Sequence, residues 1–128
     1  MTDSPYFKKK TGLRHLFAAA TYSVKGAKRL VQESAARHEI VAFILITALF
    51  SFVGATILHQ LVLTSLFLLL LAVEALNTAV EEVVDHISRD YSVAARNAKD
   101  LGSFAVFCVL GINAVFIVYV LIDLLTQV

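Results

Sequence analysis

The sequence predicts an all-α membrane protein: three transmembrane helices and an N-terminal amphipathic helix lying on the membrane surface. Three observations predict it. Apolar residues make up 59% of the chain and charged ones only 16%, with a mean hydropathy of +0.78. An average soluble domain is roughly 45–50% apolar and about 25% charged. Second, the apolar residues gather in three runs of helical length. Third, the net charge of +1 is unevenly spread: Lys8, Lys9, Lys10, Arg14, Lys25, Lys28, Arg29 and Arg37 all precede residue 39. A water-soluble fold of 128 residues needs more polar surface, not less, which argues against a soluble globular enzyme and against disorder. One Pro and five Gly argue against collagen-like or loop-rich architecture, and the single Cys108 has no partner for an internal disulfide. The expectation is one membrane domain spanning residues 1–128.

The surface helix is expected over residues 8–36. Leu13, Leu16, Phe17, Ala20, Val24, Ala27 and Val31 recur with a helical period, while Arg14, Lys25, Lys28 and Arg29 lie off the centre of that stripe. Such a helix rests in the interface, its apolar face in lipid and its basic flanks near anionic headgroups. Packing on the other helices is the alternative, and the two are compatible. The segment does not read as a cleavable signal peptide, because a long, largely polar stretch precedes the first apolar run.

Span one is expected over 39–58, where Ile40 to Leu58 is free of charge for 19 residues. Span two, over 61–86, begins with the charge-free Leu61 to Val73 and continues as a helical pattern through Ile87. Span three, over 100–125, contains the uncharged Leu101 to Ile122, bounded by Asp100 and Asp123. About 20 predominantly apolar residues cross a bilayer, so the count is three. A tight hairpin turn is expected at His59-Gln60. Basic segments stay in the cytoplasm. The N-terminus and the loop with Arg89, Arg96 and Lys99 are therefore cytoplasmic, while the His59-Gln60 turn and the C-terminus are external.

The chemistry concentrates in Glu74-Ala-Leu-Asn77-Thr-Ala-Val-Glu81-Glu82-Val-Val-Asp85. Spacings of three, four and four place Glu74, Asn77, Glu81 and Asp85 on one helix face. Glu74 follows a leucine-rich run, inside the cytoplasmic half of the bilayer. A carboxylate there costs at least a few kcal/mol and is by default a functional candidate. The alternative is a polar face that binds helices together, which suits Asn77 taken alone but not three carboxylates and an amide in one stripe. Glu33 and Glu39, with Arg37 between them, and the pair Lys99 and Asp100 fall at the same predicted depth. Carboxylates converging there can hold Mg²⁺, a hard cation that usually arrives with phosphate, and a lysine beside them can neutralise a phosphate. Singly, Glu33 and Glu39 read as solvated residues, and Glu82 does too.

Absences narrow the class. There is no G-x-x-x-x-G-K-[ST] and no G-x-G-x-x-G, so a nucleotide site here is neither a P-loop nor a protein-kinase cleft. His15, His38, His59 and His86 lack metal-ligand spacing. Cys108 reads as lipid-facing or packed, and Asn113 as an interhelical hydrogen-bond partner. No nucleic-acid partner is expected. A small oligomeric ion or proton channel is a rival reading, although the acids cluster near one interface instead of forming a path. A structural membrane subunit of a larger complex is another.

The run from Glu74 to Asp85 closely resembles the signature E-x-x-N-[ST]-x-x-E-x-x-x-D of the small bacterial membrane diacylglycerol kinases. The resemblance continues through Ala98-Lys99-Asp100-Leu-Gly102-Ser103, Tyr22-Ser23-x-Lys25-Gly26 and Glu33-x-Ala35-Ala36-Arg37-x-Glu39, and so covers nearly the whole chain. It implies a homotrimer in the bacterial inner (cytoplasmic) membrane that transfers the ATP γ-phosphate to diacylglycerol, giving phosphatidic acid. It implies Glu74 as general base on the lipid hydroxyl and Glu33 and Glu81 as ligands of an Mg²⁺ that accompanies ATP. It places Lys99 and Asp100 near the ATP phosphates, makes Asn77 essential to the site, and puts Tyr22, Asp90 and Tyr91 at nucleotide contacts. Two departures stand out. His86 follows the signature aspartate where the family often has arginine, and His15 occupies the place of an N-terminal arginine, with Arg14 one residue earlier. Related enzymes phosphorylate undecaprenol, but the Lys99-to-Ser103 stretch resembles the diacylglycerol type more closely.

Overall fold

A computed structural model describes residues 12–88 and 92–126. Four helices follow one another: α1 (Leu13–Leu30), α2 (Ser34–Phe52), α3 (Ile57–Ile87) and α4 (Val93–Thr126). Among the described residues, α2, α3 and α4 are long and apolar enough to cross a membrane. Most of their large apolar side chains face outward, for example Phe52, Phe107 and Val115. In water that surface would aggregate; in lipid it is the appropriate exterior. The chain is a three-span membrane protein with one further helix ahead of the spans.

The helix boundaries differ from the sequence expectation in three places. The helix of the third span begins at Val93, so Arg96 and Lys99 stand on α4 and not in a loop ahead of residue 100: the helix continues through a polar stretch that apolar length alone did not count. No helix runs unbroken over 8–36. Residues 8–11 lie outside the described part, and the chain turns between Leu30 and Ser34. Two features hold that corner. Arg37 donates from Nη1 to the carbonyls of Val31 at 3.2 Å and Gln32 at 2.6 Å, and Glu33 takes an extended conformation as the N-cap of α2. The first hairpin turn is also not at His59-Gln60 but at residues 53–56. Gly54 adopts φ 79°, and the amide of Ala55 donates to the carbonyl of Phe50 at 2.8 Å, the six-to-one closure that ends a helix with glycine in the left-handed region. Thr56 then starts α3 in a reciprocal capping box with His59. His59 and Gln60 therefore belong to the first turn of α3.

At this end the spans pack tightly. Phe50, Leu63 and Val120 form a buried cluster supported by Phe43, Ile46, Phe116 and Ile117. Phe43 stacks on Phe67 with ring centroids 4.1 Å apart. Gln60 Nε2 donates to Thr47 O and Ser51 Oγ, tying α3 to α2. In mid-bundle, Asn113 of α4 donates to the carbonyl of Leu66 of α3 at 3.3 Å and to Val109 O at 2.9 Å, the interhelical role expected of it. With 31 residues, α3 extends for about 46 Å, well beyond a hydrocarbon core of about 30 Å. Roughly its first twenty residues fill that core, which puts Glu74 near the exit and Glu81 and Asp85 beyond it.

Candidate active site

Glu74, Asn77 and Glu81 line a cleft of about 350 Å³ at the far end of the bundle from Gly54. The opposite walls come from the α1–α2 corner and α2, which supply Glu33, Ser34 and Glu39, and from α4, which supplies Ser103, Val106 and Leu110. Glu74 is only 5% exposed. Asn77 Nδ2 donates to Glu81 Oε1 at 3.0 Å, the i,i+4 contact that the stripe predicts. Asn77 Oδ1 and Glu39 Oε2 are buried without a hydrogen-bond partner. Four carboxylates thus converge on one cleft, and none of its lining residues is basic.

Cations stand at the rim. Lys99 Nζ of α4 reaches Asp85 Oδ1 of α3 at 2.5 Å, so the last acid of the signature is turned toward α4. Arg29, near the end of α1, holds Glu33 through Nη1 at 2.5 Å and Glu82 through Nε at 2.6 Å. Glu33 chiefly, then Glu82, raises the pKa of this guanidinium further above its already high ordinary value. Glu82 is therefore not the plain solvated residue it reads as in the sequence. It is half-exposed and ion-paired across helices. The spacing of Arg29 and Glu33 was open to inspection as an i,i+4 pair; the link to Glu82, 53 residues away, had no local signal.

The other expected residues are more dispersed. Tyr22 of α1 is exposed, and Asp100 is exposed at the start of the apolar part of α4; neither lines the cleft. Asp90 and Tyr91 lie outside the described residues. Sequence reasoning did not single out Thr78 or Ser103, hydroxyl residues of the lining. Among the described residues, no three His, Cys, Asp or Glu side chains are close enough to hold a metal ion by themselves. The donor set nevertheless suits Mg²⁺, which takes one or two carboxylates and completes its shell with water and phosphate oxygens.

Comparison with known proteins decides what this geometry belongs to. The family model for prokaryotic diacylglycerol kinase matches residues 21–122. The chain belongs to that family. A diacylglycerol kinase of Sinorhizobium sp is 52% identical over 90% of this chain and 84% of its own length. That of Haemophilus influenzae is 40% identical over 81% of this chain and 92% of its own length. That of Escherichia coli K12 is 37% identical over 75% of this chain and 80% of its own length. Membership of the prokaryotic diacylglycerol kinases makes this protein a lipid kinase, a phosphotransferase of lipid metabolism. The matched segment contains every residue of the cleft.

Proposed function

We propose that the chain phosphorylates diacylglycerol to phosphatidic acid with ATP at the inner membrane–water interface, and that the Glu74 cleft is where the transfer occurs. The observation that carries this reading is the burial of Glu74, a carboxylate at the lipid-facing end of a stripe whose other end, Glu81, lies toward water. A lipid hydroxyl sits at headgroup depth, so Glu74 is at the right level to take its proton. The freed oxygen attacks the γ-phosphorus, the bond from that phosphorus to the β–γ bridging oxygen breaks, and ADP leaves. Positioning and charge neutralisation do most of the work in such a transfer.

Glu33 and Glu81 would hold Mg²⁺, which neutralises phosphate charge when bound. Asn77 holds Glu81 from one side, and Arg29 holds Glu33 from the other. Lys99, paired with Asp85 at the rim, is available to a phosphate by exchanging one anionic partner for another. Asp100, Tyr22, Asp90 and Tyr91 are assigned to the nucleotide on family resemblance. The α1 helix, with Leu13, Leu16 and Phe17 exposed, rests on the cytoplasmic membrane surface. The N-terminus is then cytoplasmic and the C-terminus external, following the excess of basic residues. Three copies form the working unit, since one subunit of three spans encloses little of two large substrates. Co-expressed Asn77→Ala and Ala20→Gln chains should recover activity in mixed trimers if the site is shared between subunits.

The test of the whole reading is purified protein in lipid micelles with γ-labelled ATP and either diacylglycerol or undecaprenol. Label in phosphatidic acid is the expected result. Label only in undecaprenyl phosphate would move the substrate to the other branch of the family.

A further inference from the structure

Gly102 lies in the Lys99-to-Ser103 motif, and the proposed chemistry leaves this one residue of it without a task. Its surroundings assign one. Building a Cβ on Gly102 brings it into overlap with Asn77 Oδ1 and to 3.2 Å from Asn77 Cγ, and the three nearest atoms all belong to Asn77. A side chain at position 102 and the present rotamer of Asn77 therefore exclude each other. That rotamer is the one in which Nδ2 donates to Glu81 at 3.0 Å. It leaves Oδ1 buried and without a hydrogen-bond partner, resting on the bare α4 backbone, where only a weak Cα–H contact is available. A buried amide oxygen without a partner is costly, and Asn77 adopts this arrangement because the facing helix offers it a flat surface.

We propose that Gly102 is a positioning residue: the side-chain-free patch it makes on α4 sets the rotamer of Asn77, and Asn77 in turn holds the Glu81 carboxylate toward the cleft. With any larger residue at 102, the amide swings away and Glu81 loses its donor. The functional half of this inference rests on the reading of Glu81 as an Mg²⁺ ligand; the geometric half does not. A hydrogen bond to a charged group contributes on a scale that corresponds to about a ten- to hundredfold change in an equilibrium, so Gly102→Ala should raise the Mg²⁺ concentration needed for activity by about tenfold or more.

The chain has three asparagines, Asn77, Asn97 and Asn113, so selective ¹⁵N-asparagine labelling gives a spectrum with three side-chain amide pairs. The Asn77 pair is identified by its disappearance in Asn77→Ala. In Gly102→Ala that pair should move toward its position in Glu81→Ala, where the acceptor is gone, while the Asn97 and Asn113 pairs stay. An unmoved Asn77 pair overturns the proposal. Should Gly102→Ala fail to fold, the double variant Asn77→Ala/Gly102→Ala should fold, since the obstructing side chain is removed; a double variant that also fails places the clash elsewhere and overturns the proposal. A moved pair with an unchanged Mg²⁺ titration upholds the positioning of Asn77 and instead removes Glu81 from the metal site.

Discussion

The two ends of the three-helix bundle are built on opposite principles. The Gly54 end is apolar and closed: Phe50, Leu63 and Val120 are buried together, a glycine stop and a capping box satisfy the helix ends, and Gln60 ties α3 to α2. The Glu74 end is polar and open. Its helices are held by Arg29 on Glu33 and Glu82 and by Lys99 on Asp85, and between them remains a cleft of about 350 Å³. The closed end contributes most of the apolar packing, which leaves the open end free to carry groups that pack poorly. A buried carboxylate such as Glu74 would be hard to sustain without the rigid scaffold at the other end of its helix.

That contrast can be broken deliberately. The largest expected effect is on turnover at the open end. Glu74→Gln keeps shape but cannot accept a proton, and should lower kcat by about 10²–10⁴-fold with the fold unchanged by circular dichroism. A folded variant retaining most of its wild-type activity would remove Glu74 as the base. Next come the proposed metal ligands. Glu33→Gln and Glu81→Gln should each raise the Mg²⁺ requirement by about tenfold or more, with a much smaller change in the KM for lipid. Titrations that superimpose on wild type for both variants would take these residues out of the metal site.

At the closed end the prediction reverses: stability should fall and chemistry should not. Phe50→Ala leaves a cavity costing roughly 2 kcal/mol, less than in a water-soluble core because lipid rather than water surrounds the helices. Unfolding in mixed micelles should report that loss, while the activity of the folded fraction stays at the wild-type level. A drop in kcat without loss of stability would show that the two ends are not separable. The smallest effect is expected of Arg29→Gln. Exposed ion pairs contribute little, so the Mg²⁺ requirement should shift by less than about fivefold. The difference from wild type should shrink in high salt, where screening has already weakened the pair. An effect as large as that of Glu33→Gln, insensitive to salt, would make Arg29 part of the site itself.

Composition and periodicity were enough to read three spans, a preceding helix and the stripe of Glu74, Asn77 and Glu81, because these depend on local spacing and on the cost of placing a charge in lipid. The place of the first turn was also within reach, since Gly54 and Thr56 are ordinary stop and start signals; charge-free length alone carried the expected span past them to Leu58. The partners of Arg29 beyond its own helix turn, of Asp85 and of Gly102 were not legible. Arg29 meets Glu82 across 53 residues, Lys99 meets Asp85 across 14, and Gly102 meets Asn77 only because α4 packs against α3 at that height. Such contacts depend on the rotation and depth at which helices pack. Periodicity fixes which residues share a face, but only the tertiary structure sets which face of the neighbouring helix they meet.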